Sequence, residues 1–283
     1  QGTFHTTAYM EGVAHKDQPT NFSITYSFVS HEQHFTRADI MSSLKPYDTS
    51  SELYKQYTAE EYPHIIKTEK LKKLAHTIVG EEKNPVLQAS MIYDWIATNF
   101  PWAGAREYST IPNIPEYVVE NRHGDCGQVA LLYITLVRCL GIPARWESGF
   151  MLHPGAENYH DWAETYFEGT GWVATDPSFG RSTTGESLAD YYKTGIDLYR
   201  FVVNKGVNGS FDPKKNYIRS ETVDNQAGEV EWKNGNLEYK DWTSDLHVDS
   251  CIKIDINRPE YSWALTKLSV ASMRTSGDHA AEM

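Results

Sequence analysis

Apolar residues recur along this chain with two different periods, and the periods divide it into elements. From Pro63 to Val79 the residues Ile65, Ile66, Leu71, Leu74 and Ile78 fall at near-helical spacing, and Gly80 ends the run. Pro85 opens a second helical pattern through Val86, Leu87, Ala89, Met91, Ile92, Trp95 and Ile96, which Pro101 stops. A third pattern runs from Cys126 to Leu140. Its Val129, Ala130, Leu131, Leu132, Ile134, Leu136, Val137 and Leu140 surround nearly the whole circumference, which marks a buried helix. Strand-like stretches lie at 3–29, 144–151, 160–167, 171–175 and 229–256. Turn-forming clusters interrupt them at Asp17-Gln18-Pro19-Thr20-Asn21, Glu168-Gly169-Thr170-Gly171 and Lys233-Asn234-Gly235-Asn236. Residues 42–63 read as a tyrosine-rich connector, 101–122 as a long loop of the kind that carries function, and 180–220 as irregular. The tail from Ser276 is expected to fray. Strands, then helices, then strands, without βαβ alternation, predict an α+β fold on an antiparallel sheet.

Composition narrows the partners. The 283 residues hold 26 Lys and Arg against 38 Asp and Glu, a formal charge of −12. An acidic chain without a basic run gains little from counterion release, so no nucleic-acid partner is expected. No apolar run reaches the roughly 18 residues of a membrane span. Gln1 to Met10 lacks the basic start and apolar centre of a signal peptide and begins without Met. The expectation is an exported protein, periplasmic or cell-surface, whose leader has been removed. Cys126, Cys139 and Cys251 are odd in number and form no CxxC pair, which argues against a disulfide framework and against zinc. Cys139 and Cys251 read as core residues. His31 and His34 stand three apart, not at the spacing of a zinc-protease helix. His123, Asp125, Cys126, His153 and His160 show no zinc-site spacing either. No metal, no cofactor and a monomer are expected. Asn208-Gly209-Ser210 has the letters of a glycosylation triplet.

The chemistry concentrates at His123-Gly124-Asp125-Cys126-Gly127-Gln128. Asp125 suits a helix N-cap and Gln128 completes a capping box, which puts Cys126 at the first helical position. There the free backbone N–H groups and the helix dipole favour a thiolate and offer an oxyanion site. Gly124 and Gly127 leave room for a substrate. His160 heads one predicted strand and Asp176 closes the next, so a hairpin brings them to one region of the sheet. A turn centred on Gly169 and Thr170 sets Asp176 opposite Ala163, on the face away from His160; a bulge or bend is expected to correct this. In these roles Cys126 attacks, His160 exchanges protons with it and with the leaving amine, and Asp176 orients the imidazole.

Four blocks, Gly124-Asp125-Cys126-Gly127-Gln128, Leu140 to Arg145, His160 to Tyr166 and Gly171 to Pro177, make the chain resemble the transglutaminase-like superfamily. The resemblance covers about 65–180 and implies a papain-like core. It implies that Cys126, His160 and Asp176 are the catalytic residues. It also suggests Trp102, an aromatic before the Cys, as an oxyanion donor, although a packing Trp is the alternative. The division expected is 1–60 as N-terminal strands and connector, 61–200 as catalytic core and 201–283 as a β-rich accessory segment. The implied activity is cleavage or transamidation of amide bonds in a peptide or protein, with hydrolysis preferred. A catalytically silent binding module for peptide or glycan is the alternative. A peptide N-glycanase, acting on a glycan-linked substrate, is a third reading, against which the missing paired CxxC motifs count. Tyr47, Tyr54, Tyr57 and Tyr62 either line a substrate groove or pack on the surface.

Overall fold

The helices begin where a side chain takes over the free backbone N–H groups at their ends. The computed structural model describes residues 7–181, 186–207, 209–238, 240–255 and 262–271. Thr36 caps α1 (Arg37–Ser43), Ser51 caps α2 (Glu52–Thr58) and Thr68 caps α3 (Glu69–Val79). Asn84 caps α4 (Pro85–Asn99), Asn113 caps α5 (Ile114–Asn121) and Asp125 caps α6 (Cys126–Cys139). A seventh helix, α7 (Glu186–Lys193), follows later in the chain.

Strands β1 (Ser23–His31) and β2 (Gln33–His34) come first. Then come β3 (Ala144–Met151), β4 (Asn158–Phe167) and β5 (Gly171–Thr175), and after them β6 (Gly195–Ile196) and β7 (Arg200–Lys205). Last are β8 (Glu231–Trp232), β9 (Gly235–Asn236), β10 (Asp245–Asp255) and β11 (Ser262–Ala271). The central sheet has the order β5-β4-β3-β7 with every pairing antiparallel. A second sheet, β1-β11-β10, joins strands from the two ends of the chain. The pairs β2-β6 and β8-β9 are small additions.

Helix α6 lies against β3 and β4, and α3, α4 and α5 pack around its other sides. That is why its sequence is apolar all round: Val129, Leu131, Leu132, Ile134, Leu136 and Val137 are fully buried. Burial of each such side chain stabilises by about 1.5–3 kcal/mol, so the Cys126 end of α6 is fixed by the rest of its own helix.

Several elements differ from the sequence expectation. Residues 7–22 contain only an isolated His15–Gln18 bridge; the strand is Ser23–His31. Most side chains in 7–22 are exposed, and strand propensity without a surface to cover does not make a strand. The 101–122 stretch holds α5, because Pro115 lies in a first turn, where its missing N–H costs nothing. The 180–220 stretch holds α7, β6 and β7. The tyrosine connector packs on the edge of the central sheet. Tyr47 donates to the Tyr166 carbonyl, Tyr54 meets Tyr47, and Tyr57 stands edge-on to Trp172. None of these, nor the exposed Tyr62, lines the pocket described below. Cys139 is half-buried against the core, whereas Cys251 in β10 is exposed and not a core residue. Asn208 and the tail from Ser276 lie outside the described residues.

Candidate active site

The capping box forms as the sequence suggests. Gln128 N donates to Asp125 Oδ1 at 2.9 Å, and Asp125 N donates to Gln128 Oε1 at 3.3 Å. A parallel bridge between Trp102 and Gly124 ties the preceding loop beside the Cys turn. The Trp102 side chain is 66% exposed, on the wall of the pocket that contains Cys126.

His160 and Asp176 meet without a bulge. The β4–β5 pairing runs from Ala163↔Thr175 to Phe167↔Gly171, so the loop is the three residues 168–170. A loop one residue longer than expected shifts the register by one, and in a strand a one-residue shift exchanges faces. Asp176 thereby comes to the His160 face. His160 Nε2 and Asp176 Oδ2 are 2.7 Å apart, with the two side chains 8% and 0% exposed. With Asp176 ionised, Nε2–H is the donor, and Nδ1 is left as the accepting nitrogen. His160 Nδ1 has no hydrogen-bond partner among the described residues.

Arg200, at the start of β7, completes this cluster. Its Nη1 is 3.2 Å from Asp176 Oδ2 and its Nε donates to Asp197 Oδ2 at 3.0 Å. Its guanidinium lies near the rings of Phe179, Trp162 and Tyr192. Burial alone would lift the Asp176 carboxyl; His160 and then Arg200 outweigh it and hold it below the usual carboxylate range. Burial likewise works against the Arg200 charge, and Asp176 and Asp197 overcome it.

The thiol behaves differently from the expectation. Cys126 Sγ donates to Asp161 Oδ2 at 3.4 Å and makes no hydrogen bond to His160. Loss of solvation, then the charges of Asp161 and Asp125, push the thiol well above its ordinary value. The Asp161 backbone N–H acts in the opposite direction but is outweighed by burial and the two carboxyl neighbours. Asp161 is itself pushed up by burial, Asp224 and Asp125. Its other oxygen, Oδ1, accepts from Gln226 Nε2 at 2.5 Å, and the same amide donates to the His160 carbonyl at 2.8 Å.

Cys126, His160 and Asp161 share one pocket of about 690 Å³. Trp102, Tyr159, Phe179 and Trp242 supply apolar walls, and Glu107, Asp125, Glu221 and Asp224 make it acidic. Asp176 lies behind His160, outside the lining. No cluster of His, Cys, Asp and Glu among the described residues is arranged to hold a metal.

Residues 72–177 match the family model of the transglutaminase-like superfamily. This stretch is a transglutaminase-like core. It runs from α3 to one residue beyond Asp176 and contains Trp102, Cys126, His160 and Asp161. The chain is also 25% identical over 149 residues to the uncharacterised protein YebA of Bacillus subtilis. That match covers 46% of this chain and 20% of YebA, so the chain spans about a fifth of this curated relative. Among solved structures, a candidate cysteine protease of Cytophaga hutchinsonii is similar at 19% identity and TM-score 0.43, over 62% of this chain and 70% of that one. The periplasmic domain of TgpA from Pseudomonas aeruginosa is similar at 18% identity and TM-score 0.38, over 45% of this chain and 47% of that one.

Three residues at the pocket, Asp161, Arg200 and Gln226, are not among those the sequence singles out. Asp161 follows His160 directly, and strand alternation alone sends its side chain to the α6 face. Arg200 lies in a stretch without a clear period, and Gln226 in a loop with no local motif; both lie outside the matched 72–177. Among the described residues, no helix is long and apolar enough to cross a membrane.

Proposed function

We propose that this chain is a thiol acyl-transfer enzyme acting on amide bonds of a peptide or protein. The observation that carries the reading is the buried 2.7 Å His160–Asp176 pair, beside a pocket whose wall includes the capped N-terminal cysteine of α6. Cys126 attacks the carbonyl, and a thioester forms as the amine leaves. His160, with Nε2–H held by Asp176, exchanges protons at Nδ1: it gives one to the departing amine and takes one from the acceptor that resolves the thioester. The free N–H groups of the first α6 turn receive the oxyanion, and Trp102 on the pocket wall is the candidate for a second donor. No cofactor takes part in these steps.

Water as acceptor makes the enzyme a peptidase or amidase; an amine makes it a transamidase. Hydrolysis is the preferred outcome. A second reading, a silent module that binds peptide or glycan, is favoured by the upward push on the Cys126 thiol. The test is a glutamine-containing peptide amide incubated with and without a primary amine. Free acid and ammonia, or the free amino fragment, are expected in excess over amine adduct. Cys126→Ala is expected to lose turnover by at least about 10⁴-fold while still binding the peptide. Equal biological activity in Cys126→Ala would establish the binding module instead.

A further inference from the structure

The residue in contact with the nucleophile is a carboxyl group, not the imidazole. Asp161 leaves β4 on the face toward α6, and the absent Cβ of Gly127 makes its position there available. A carbon on Gly127 would stand 2.6 Å from Asp161 Oδ2 and 3.0 Å from Trp146 Cη2. Asp161 is thus seated against the first turn of α6, and its side chain is nearly fully buried.

We propose that Asp161 is a catalytic acid–base partner of Cys126, sharing one proton with the thiol across the 3.4 Å Sγ–Oδ2 contact while Gln226 occupies its other oxygen. This rests on the reading of the pocket as a thiol acyl-transfer site and deepens it by assigning the thiol proton.

The two oxygens of Asp161 have different partners. Oδ1 accepts from the Gln226 amide, a donor that never gives up its hydrogen, so the only exchangeable proton is the one between Oδ2 and Sγ. The groups facing the pair come from three elements. Asp125 caps α6, Tyr108 sits in the single helical turn Tyr108–Thr110 and donates to Asp125 Oδ1 at 2.5 Å, and Asp224 lies in the loop that carries Gln226. His160 is the neighbour on β4 itself. Burial and the negative neighbours push both groups up and disfavour a second charge on the pair, which leaves the form with one proton as its most ionised state. Within that state the helix terminus favours charge on sulfur and Asp224 disfavours it on the carboxylate, while Asp125 acts against charge on either group. These effects offset the thiol's ordinary hold on its proton.

The proton count closes over a cycle. The Sγ–H proton passes to Asp161 Oδ2 as sulfur bonds to the carbonyl carbon. His160, once a proton from solvent occupies Nδ1, gives that proton to the amine as the C–N bond breaks. Water then adds to the thioester and loses a proton to His160. The C–S bond breaks, and sulfur regains its share of the Asp161 proton.

The test follows alkylation of Cys126 by limiting iodoacetamide from about pH 5 to 9, with the adduct located by mass spectrometry. It compares the full chain with its Asp161→Asn, Gln226→Met and His160→Ala variants. Loss of the acceptor in Asp161→Asn is expected to lower turnover on a peptide amide by about tenfold or more, while loss of its negative charge lets labelling proceed at lower pH. Loss of the amide in Gln226→Met removes a donor that stabilises the carboxylate, so Asp161 takes the thiol proton more readily and labelling speeds up. Infrared difference spectra on alkylation are expected to show a carboxylic-acid carbonyl band that Asp161→Asn lacks. Turnover undiminished in Asp161→Asn, or a labelling profile set by His160 alone, would overturn the Asp161 assignment and leave the thiol-enzyme reading standing. Normal paired behaviour in labelling with no amide turnover on any peptide would overturn the enzyme reading and leave the proton-sharing pair.

Discussion

Replacing Asp176 with Asn is expected to lower amide turnover by roughly 10⁴-fold and stability by about 3 kcal/mol in the same variant. Both effects come from one oxygen. Asp176 Oδ2 accepts from His160 Nε2 at 2.7 Å and stands 3.2 Å from Arg200 Nη1, with no solvent exposure. An amide can turn its NH₂ toward Nε2, which then becomes the acceptor, and the proton moves to Nδ1. That nitrogen can no longer take a proton from the resolving water. The stability loss has a separate cause, since Arg200 keeps Asp197 but loses a buried counter-charge. Thermal unfolding would show it as a drop of about 6–12 °C. The pH dependence has a definite sign, because the folded carboxyl lies below its ordinary value. Its contribution to stability is complete above the unfolded value of about 3.9 and is lost as pH falls through the lower folded value. The Asn variant should therefore show less acid sensitivity between those two points than the parent chain.

A Cβ at Gly149 is expected to cost at least about 3 kcal/mol and to remove activity without touching a reacting group. Gly149 stands on β3, opposite His160 on β4 and opposite Val202 on β7. A carbon there would overlap the Phe201 carbonyl oxygen and come within 2.9 Å of its carbon and 3.0 Å of Val203 N. These are backbone atoms of a paired strand, so no rotamer relieves the overlap. The β3–β7 register already shifts between Ser148 and Gly149, where the two strands approach closely. Separation of β7 would carry Arg200 away from Asp176. Gly149→Ala is accordingly expected to lower the denaturant midpoint and the turnover together, whereas surface substitutions on β7 leave both unchanged.

The sequence made the transglutaminase-like centre legible for physical reasons that stop short of its edges. Helix α6 announces itself because Val129 to Val137 are apolar on every side and Asp125 and Gln128 form a reciprocal cap. Strands β3 and β5 could be bounded to the residue because turn-forming glycines flank them. The His160–Asp176 contact was legible as a neighbourhood but not as a register. Whether the β4–β5 loop has two residues or three decides the face of Asp176, and one extra loop residue leaves no mark in hydrophobic periodicity. Helix α5 was hidden by reading Pro115 as a loop signal. Arg200 and Gln226 reach the site from the chain beyond residue 177, and long-range contacts of single polar residues leave no local pattern. The expected direction of the Cys126 ionisation failed for a related reason. The helix terminus is visible in sequence, but the carboxyl of Asp161 acts on the thiol only after β4 packs on α6.

The central claim, a nucleophilic Cys126 that forms a thioester, is tested most directly by intact-mass spectrometry of acid-quenched mixtures. The full chain is mixed with a panel of peptide amides and sampled before turnover is complete. The expected result is a transient adduct on Cys126 with the mass of the acyl half, formed with an equal amount of released amine and absent in Cys126→Ala. Amine release that persists in Cys126→Ala, or peptide binding with neither adduct nor amine in the full chain, would contradict it.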